Sequence, residues 1–333
     1  MSRKLSFSLA INEAFHQVMK EDPSVVIIGQ GVKSPWYVGN TCKGLLEAFG
    51  EKRVFDTPVS ENAVTGAAVG AAIAGLRPVV IHPRMDFMLY ALDPIINQAA
   101  NWRYMSNGAA GVPIVFWGII NRGGEQAAQH SQSLHSIFAH VPGLKVVAPA
   151  TPHDAKGLMI AAIRDPDPVV FVDERWLYGA EGEVPEKPYE VRIGDAVVRK
   201  KGNDLTIVAF SYLAPKALEA AETLTQHGIS CEVIDLRTLK PWDETCVFES
   251  VRRTGRLLVC DVGWKSVGLA AEVVARVAEV CWHDLKAPVR RVALPDLPAP
   301  AARTLEAVYY PGTQDVIQAA QEIFRSGLRL SGD

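Results

Sequence analysis

The sequence has few cysteines, and none of them lies at a spacing that binds metal. No C-x-x-C pair occurs, and no histidine stands at ligand spacing from a cysteine. These absences argue against a zinc site and against a disulfide framework. We therefore expect reduced and mostly buried thiols at the five positions, which are Cys42, Cys231, Cys246, Cys260 and Cys281.

Long apolar runs and a large excess of one charge are also missing. No run reaches the ~18 apolar residues that a membrane-spanning helix needs. The formal net charge is −3 over 333 residues, which argues against binding to nucleic acid or to an anionic membrane. The N-terminus leads from a short polar start into an amphipathic helix without a signal-peptide pattern, so we expect a cytoplasmic protein.

Familiar short motifs of catalysis and nucleotide binding are absent as well. The chain contains no G-x-x-x-x-G-K-[ST], G-x-S-x-G, H-E-x-x-H or G-x-G-x-x-G motif. The tripeptide GQG, Gly29–Gly31, does follow a predicted strand. Because it lacks a third glycine, it is only a weak sign of a nucleotide site.

What the sequence does contain is a repeated alternation of helical and buried-strand patterns. This alternation is typical of parallel α/β architecture, and the chain length predicts about two domains. We predict two doubly wound α/β domains, residues 1–178 and residues 204–328. Residues 179–203, which carry many Pro, Gly and charged residues, are predicted to connect them.

The first candidate for chemistry is the segment DTPVSENAVTGAAVGAAIAG, residues 56–75. Ser60 is a favourable N-cap, and Glu61 opens a helix of small apolar residues. Two interpretations of Glu61 stay open, because an acid in the first turn also stabilises a helix through its dipole. Gly66 and Gly70 each cost ~1 kcal/mol against Ala in a helix interior, which suggests close packing within the chain or across a subunit interface.

The second candidate is His130, in the segment GGEQAAQHSQSLHSIFAH. It follows a Gly-rich loop and precedes a predicted helix start, where a neutral imidazole can act as an acid, a base or a hydrogen-bond donor. A satisfied structural histidine is the alternative. His135 and His140 are interpreted as structural, because their spacing marks no metal site.

Both candidates lie in longer stretches that match one known family in order. These stretches are DTPVSENA, PVVIHPRMDFMLYALDPIINQAANWRYMS, AAQHSQSLHSIFAHVPGLKVVAPATPHDAKGLMIAAIRDPDPVVF and EVIDLRTLKPWD. They resemble the beta subunit of thiamine-diphosphate-dependent 2-oxo acid dehydrogenases, which act on pyruvate, acetoin or branched-chain 2-oxo acids. The resemblance implies a pyrimidine-binding transketolase-like domain followed by a C-terminal transketolase-like domain. It also implies an enzyme that decarboxylates a 2-oxo acid and passes on the acyl or hydroxyalkyl group.

The resemblance assigns roles to particular residues of this chain. The acid at the position of Glu61 hydrogen-bonds the aminopyrimidine ring of the cofactor and activates it. Phe87 would pack on that ring with Tyr90 nearby, and His130 would face the substrate end of the cofactor. A potassium site of the family, formed mostly by backbone carbonyl groups, maps onto Ile114, Ala162, Ile163, Asp165 and Asp167.

The resemblance also implies partners, because the metal-ligand set GDG…N that anchors the cofactor diphosphate through Mg²⁺ is missing from this chain. An alpha subunit would supply those ligands, and an α2β2 heterotetramer is expected. A lipoyl-bearing acyltransferase is the family's usual acceptor, and a 2-oxo acid is its donor.

Several positions depart from the family pattern. Gln30 and Gly31 stand where relatives carry an acid that is assigned to a carboxylate relay, so relay behaviour is in doubt. Near the expected substrate entrance the chain adds charged or ionisable residues, namely His82, Arg84, Arg122 and Glu125. These changes are either drift on solvated loops or a sign that His82, Arg84 or Arg122 meets an anionic group of a donor or acceptor.

Two other functions stay open at this point. One is a related ketol-transferring or carboligating enzyme that is split into two chains, like half of a transketolase. The other is a non-catalytic subunit that keeps the fold as a scaffold. The joint presence of Glu61, Phe87 and His130 argues against the scaffold.

Overall fold

A computed structural model describes residues 2–34 and 37–327 of the chain. Its contacts divide the chain into two units, Met1–Ile193 and Gly194–Asp333. Each unit contains a mainly parallel sheet with helices, so the prediction of two α/β domains is confirmed. The expected connector, residues 179–203, contains two complete strands, Glu181–Pro185 before this division and Val197–Lys200 after it.

The first unit has eight strands and six α-helices in its described residues. The strands are β1 (Ser2–Ser6), β2 (Val25–Gly29), β3 (Val54–Asp56), β4 (Arg77–His82), β5 (Val115–Ile120), β6 (Lys145–Val147), β7 (Val169–Glu174) and β8 (Glu181–Pro185). The α-helices are α1 (Phe7–Glu21), α2 (Leu45–Phe49), α3 (Glu61–Ile73), α4 (Ala100–Met105), α5 (His135–His140) and α6 (Pro152–Arg164). Further helical segments are the 3-10 helices Met85–Ala91 and Arg175–Leu177 and the π-helix Asp93–Ala99.

Six strands of this unit form a parallel sheet in the order β6-β7-β5-β4-β2-β3. Strands β5 and β7 are buried along their whole length. A parallel sheet is covered on both faces, which explains why these strands are nearly continuous apolar runs rather than alternating patterns. The remaining two strands, β1 and β8, pair antiparallel with each other.

The core of the first unit is built around an aromatic cluster on β5. The ring of Trp117 lies 5.5 Å from Phe15 of α1 and 6.3 Å from Phe171 of β7, measured between centroids. All three side chains are fully buried, and each contributes roughly 1.5–3 kcal/mol through removal of apolar surface from water. This cluster fixes α1 on the sheet.

The second unit repeats the architecture on a smaller sheet. Its strands are β9 (Val197–Lys200), β10 (Leu205–Ala209), β11 (Cys231–Asp235), β12 (Thr238–Lys240), β13 (Leu257–Trp264) and β14 (Arg290–Leu294). All of these except β12 form a sheet in the order β14-β13-β10-β11-β9, in which only β9 runs antiparallel to its neighbour. Its helices are α7 (Leu213–Gln226), α8 (Glu244–Thr254), α9 (Leu269–Cys281), α10 (Arg303–Tyr309) and α11 (Thr313–Gly327), with a 3-10 helix at Trp282–Asp284.

The cysteines and the helices of the described residues bear on two expectations from the sequence. All five cysteines are free, and four of them are buried, as the spacing predicted. None of the helices that the structure describes combines the length and the apolar character that crossing a bilayer requires.

Candidate active site

The candidate site lies where the strands of the first sheet end. Because β2, β3, β4, β5 and β7 are parallel, their carboxyl ends meet at one edge of the sheet. Ligands of open α/β sheets bind at this edge. The segments that leave it carry Gln30 after β2, Glu61 after β3, Phe87 after β4 and His130 after β5.

Glu61 is the first residue of α3, and a side chain from another strand holds it. Ser60 occupies the N-cap position, but its side chain makes no capping hydrogen bond to the helix. Instead, Nε2 of Gln30 donates a hydrogen bond to Oε1 of Glu61 at 3.0 Å. The carboxylate is therefore oriented by the loop after β2, which a role limited to the helix dipole would not require.

Gln30 replaces the expected relay acid with a neutral hydrogen-bond donor. A primary amide can orient a carboxylate, but it does not exchange a proton with it at neutral pH. The next residue, Gly31, donates its backbone N–H to Oδ1 of Asp56 at 2.8 Å. It has a φ of +69°, and an added Cβ would lie 2.0 Å from the ring of Tyr37. The loop thus needs glycine at this position and leaves no room for an acid there.

Phe87 lies in the 3-10 helix Met85–Ala91, which packs against α3. Its ring is half-buried and meets the imidazole of His130 edge-on, with centroids 5.4 Å apart and planes at 90°. The structure therefore brings together two of the predicted site residues from separate loops. Tyr90, on the same 3-10 helix, is 71% exposed.

A glycine in β5 allows this 3-10 helix to lie directly on the sheet. An added Cβ on Gly118 would come within 2.6 Å of Sδ of Met88 and 3.1 Å of Cγ of Met85. A larger residue would push the 3-10 helix outward. The position of Phe87 thus depends on having glycine at position 118, two residues before the end of β5.

Asp86 is a site residue that the sequence analysis missed. It is only 4% exposed, and one of its carboxylate oxygens accepts hydrogen bonds from the backbone N–H of Gln132 at 3.1 Å and from Nε2 of Gln132 at 2.8 Å. Burial raises the pKa of Asp86. These bonds tie the segment that carries Phe87 to the loop that carries His130. The sequence offers one sign of this role, since Asp86 is the only acid in the otherwise apolar run MDFML.

Two of the residues proposed to meet an anionic ligand are buried and lack the free charge that this role needs. His82 is 3% exposed, and burial lowers its pKa to about 4, so its imidazole is neutral near pH 7. Arg122 is buried, and its Nε lies 2.8 Å from Oε1 of the equally buried Glu174. The expectation was wrong for both residues, because one carries no charge and the charge of the other is neutralised within the chain.

His135 and His140 agree with their structural interpretation. His135 is fully buried, and its Nδ1 lies 3.0 Å from Oγ of Ser133. His140 is exposed at the end of α5.

No group of three or more His, Cys, Asp or Glu residues among the described residues could hold a metal ion.

Two of the five carbonyl groups predicted to bind potassium already contact a cation. Arg77 donates from Nη1 to the carbonyl oxygens of Ile163 at 2.9 Å and Asp165 at 3.2 Å. Nζ of Lys145 lies 2.7 Å from both carboxylate oxygens of Asp165. Positive charge is thus supplied by the chain itself, and the potassium assignment stays a prediction that this geometry does not support.

The chain matches two family models in sequence. Residues 3–180 match the transketolase pyrimidine-binding domain, and residues 194–316 match the transketolase C-terminal domain. Over 98% of its length it is 45% identical to the beta subunit of the acetoin:2,6-dichlorophenolindophenol oxidoreductase of Cupriavidus necator, of which it covers 99%. The chain belongs to the transketolase-like family of oxidoreductase beta subunits. The family resemblance seen in the sequence is confirmed.

Other relatives also match this transketolase-like beta subunit over nearly its whole length. It is 43% identical over 94% of its length to the pyruvate dehydrogenase E1 component subunit beta of Rickettsia felis, covering 96% of that protein. It is 40% identical over 97% of its length to the acetoin oxidoreductase beta subunit of Bacillus subtilis, covering 98% of it. A solved split-gene transketolase, described as an inactive beta4 tetramer, superposes with a TM-score of 0.77 at 23% identity, covering 97% of this chain and 99% of that one. At that identity, the superposition supports the fold alone.

The hydrogen bond between Gln30 and Glu61 gives a test of this site. Gln30→Glu would place two carboxyl groups at hydrogen-bond distance, and neighbouring carboxyl groups resist ionising together. We expect the acid limb of the pH–rate profile of the assembled enzyme to move to higher pH by about one unit or more.

Gln30→Ala is the matched control for that variant. It removes the amide donor without adding a carboxylate, so it is expected to lower the rate without the same displacement of the profile. Identical profiles for Gln30→Glu and the wild type would show that Gln30 does not hold Glu61 during turnover.

Proposed function

We propose that this chain is the beta subunit of a heteromeric thiamine-diphosphate-dependent enzyme that decarboxylates a 2-oxo acid and passes on the resulting acyl or hydroxyalkyl group. The observation that carries the proposal is Glu61 at the start of α3, held by Gln30 within a domain of the pyrimidine-binding family. The packing of α3 against the helix of Phe87 supports the same site.

The residues of this chain fit the aminopyrimidine half of the cofactor. The carboxyl group of Glu61 is partly exposed and would hold a proton at the ring nitrogen. Phe87 offers a half-buried ring for stacking, and His130 at its edge would donate a hydrogen bond to the carbonyl oxygen of the donor. Bound thiamine diphosphate supplies the carbanion chemistry of decarboxylation.

The diphosphate half of the cofactor finds no metal site among the described residues. An alpha subunit is therefore proposed to bring the Mg²⁺ ligands, in an α2β2 heterotetramer. The relatives support this proposal, because each is named as one subunit of a larger oxidoreductase. A lipoyl-bearing acyltransferase is the proposed acceptor.

The exposed face of α3 is the proposed contact surface for the alpha subunit. It carries the small residues Ala63, Gly66, Ala67, Gly70 and Ala74. An added Cβ on Gly66 or on Gly70 would meet nothing within 4 Å. These glycines are therefore not required by packing within the chain. They fit close packing against a second subunit, which the sequence left open.

The alternatives are less well supported. The relatives at 40–45% identity are oxidoreductase beta subunits, whereas the split transketolase shares only 23% identity. A scaffold role would not need the hydrogen bond that orients Glu61 or the pairing of Phe87 with His130.

The role of Glu61 is tested by Glu61→Gln in the complex with the alpha subunit, thiamine diphosphate and Mg²⁺. We expect 2-oxo acid decarboxylation, followed with an artificial electron acceptor, to fall at least ~10²-fold, the scale of an acid–base group. The complex should still assemble, because Gln is nearly isosteric with Glu.

The matched control is Glu47→Gln, since Glu47 is an exposed acid in the first turn of α2. If Glu61 served only its helix dipole, the two substitutions would have similarly small effects. That result would contradict the proposed role of Glu61.

The contact surface on α3 is tested by comparing Gly66→Ala with Gly66→Leu. Both add a side chain into open space on a helix and are expected to leave the isolated chain as stable as the wild type or ~0.5–1 kcal/mol more stable. Only leucine is expected to prevent co-purification with the alpha subunit. Normal assembly of Gly66→Leu would rule out this face as the contact.

A further inference from the structure

Two arginines, Arg84 and Arg175, lie at the carboxyl edge of the first sheet. Arg84 follows β4 and Arg175 follows β7. The loop after β5 approaches the segment after β7 closely, because an added Cβ on Gly123 would lie 3.0 Å from the ring of Trp176. This contact places the segment of Arg175 beside the loop after β5, and a hydrogen bond from Arg84 to Gln126 joins Arg84 to the same loop.

The hydrogen bonds of both guanidinium groups go to neutral acceptors. Arg84 donates to the carbonyl oxygen of Pro83 at 2.9 Å and to Oε1 of Gln126 at 3.3 Å. Arg175 donates to the carbonyl oxygen of Tyr37. Nε of each arginine is buried without a hydrogen-bond partner among the described residues.

This arrangement differs from that of the buried Arg122, whose charge is balanced by Glu174. Burial and the positive charge of Arg175 lower the pKa of Arg84, whereas the nearby carboxylate of Asp86 raises it. The acid near Arg175 is Asp173, whose pKa burial raises to about 7, although the charge of Arg175 opposes this rise. In the described residues, neither Arg84 nor Arg175 has a carboxylate within ion-pair distance. Two neighbouring cations that are partly removed from water are unfavourable together, and an oxyanion between them would relieve the repulsion.

The pair is linked directly to the candidate active site. The backbone N–H of Phe87 donates to the carbonyl oxygen of Arg84 at 3.1 Å. Gln126, which accepts from Arg84, lies in the loop that leads to His130. The arginines therefore flank the loops that would surround a donor substrate.

We propose that Arg84 and Arg175 bind a carboxylate at the end of the donor that is remote from its reacting carbonyl group. The preferred donor is then a dicarboxylic 2-oxo acid. The planar fork of a guanidinium matches a carboxylate through paired hydrogen bonds. This inference rests on the proposed function, and it names the substrate class that the same site would select.

The kinetic test compares two donors of equal chain length on the assembled holoenzyme, 2-oxoglutarate and 2-oxopentanoate. Only the first has a second carboxylate. For wild type, we expect kcat/KM to favour 2-oxoglutarate, and for Arg84→Gln and Arg175→Gln we expect this preference to fall about 10-fold or more. The loss should be in KM rather than in kcat, and Arg84→Lys should recover part of it. The control is Arg303→Gln, because Arg303 is an exposed arginine of the second unit. It should leave kcat/KM unchanged for both donors.

A second measurement does not depend on turnover. Glutarate should raise the thermal unfolding midpoint of the wild-type complex, while pentanoate should not, and both Gln variants should lose the effect. If no 2-oxo acid reacts but glutarate still binds through the arginines, the proposed function fails and the anion site stands.

Three results would overturn the inference. The first is an equal effect of the Gln variants on both donors, and the second is the absence of any glutarate effect on the wild type. The third is loss of alpha-subunit binding in the variants, which would show that the arginines pair with an acid of that subunit.

Discussion

The parallel alignment of β2, β3, β4, β5 and β7 is the constraint on which the candidate site depends. Side chains that are far apart in the sequence come together only because the strands end at the same edge. Gln30 and Glu61 leave neighbouring strands and share a hydrogen bond of 3.0 Å. Asp86 and Gln132, 46 positions apart, join the two loops that carry Phe87 and His130.

The same edge supports the proposal that the chain holds only part of an active site. Glu61 and Phe87 are proposed to contact the pyrimidine ring of the cofactor and His130 its substrate end, and the described residues include no cluster for a metal ion. The small residues of α3 face outward, with open space above Gly66 and Gly70. Such a surface gains little within one chain, whereas a second subunit could approach the helix backbone closely.

Much of the fold and part of the site could be predicted from the sequence. Nearly continuous apolar strands alternating with helical patterns predicted the two α/β domains, and the family resemblance implied a cofactor contact for Glu61, which stays a prediction. The local pattern did not reveal the hydrogen bond from Gln30, because that bond depends on strand order. It also did not reveal Asp86 and Arg175, whose surroundings are set by loops from other strands.

Charge was the property least accessible from the sequence. His82, Arg84 and Arg122 look alike as polar residues beside an expected entrance. In the fold, burial leaves His82 neutral, and Glu174 balances Arg122. The hydrogen bonds of Arg84 go to neutral acceptors within the described part of the chain. A local sequence pattern cannot separate these outcomes, because each is decided by a neighbour from a distant segment or by the depth of burial.

The central claim is that this chain supplies the pyrimidine half of a cofactor site that a second subunit completes. The most direct test is calorimetric titration of thiamine diphosphate, with Mg²⁺, into the isolated chain and into its complex with the alpha subunit. If the chain holds only half of the site, thiamine diphosphate should bind to the complex and bind at least ~100-fold more weakly to the isolated chain. This ratio corresponds to a difference of about 2.7 kcal/mol in binding free energy. Tight, Mg²⁺-dependent binding to the isolated chain would contradict the claim.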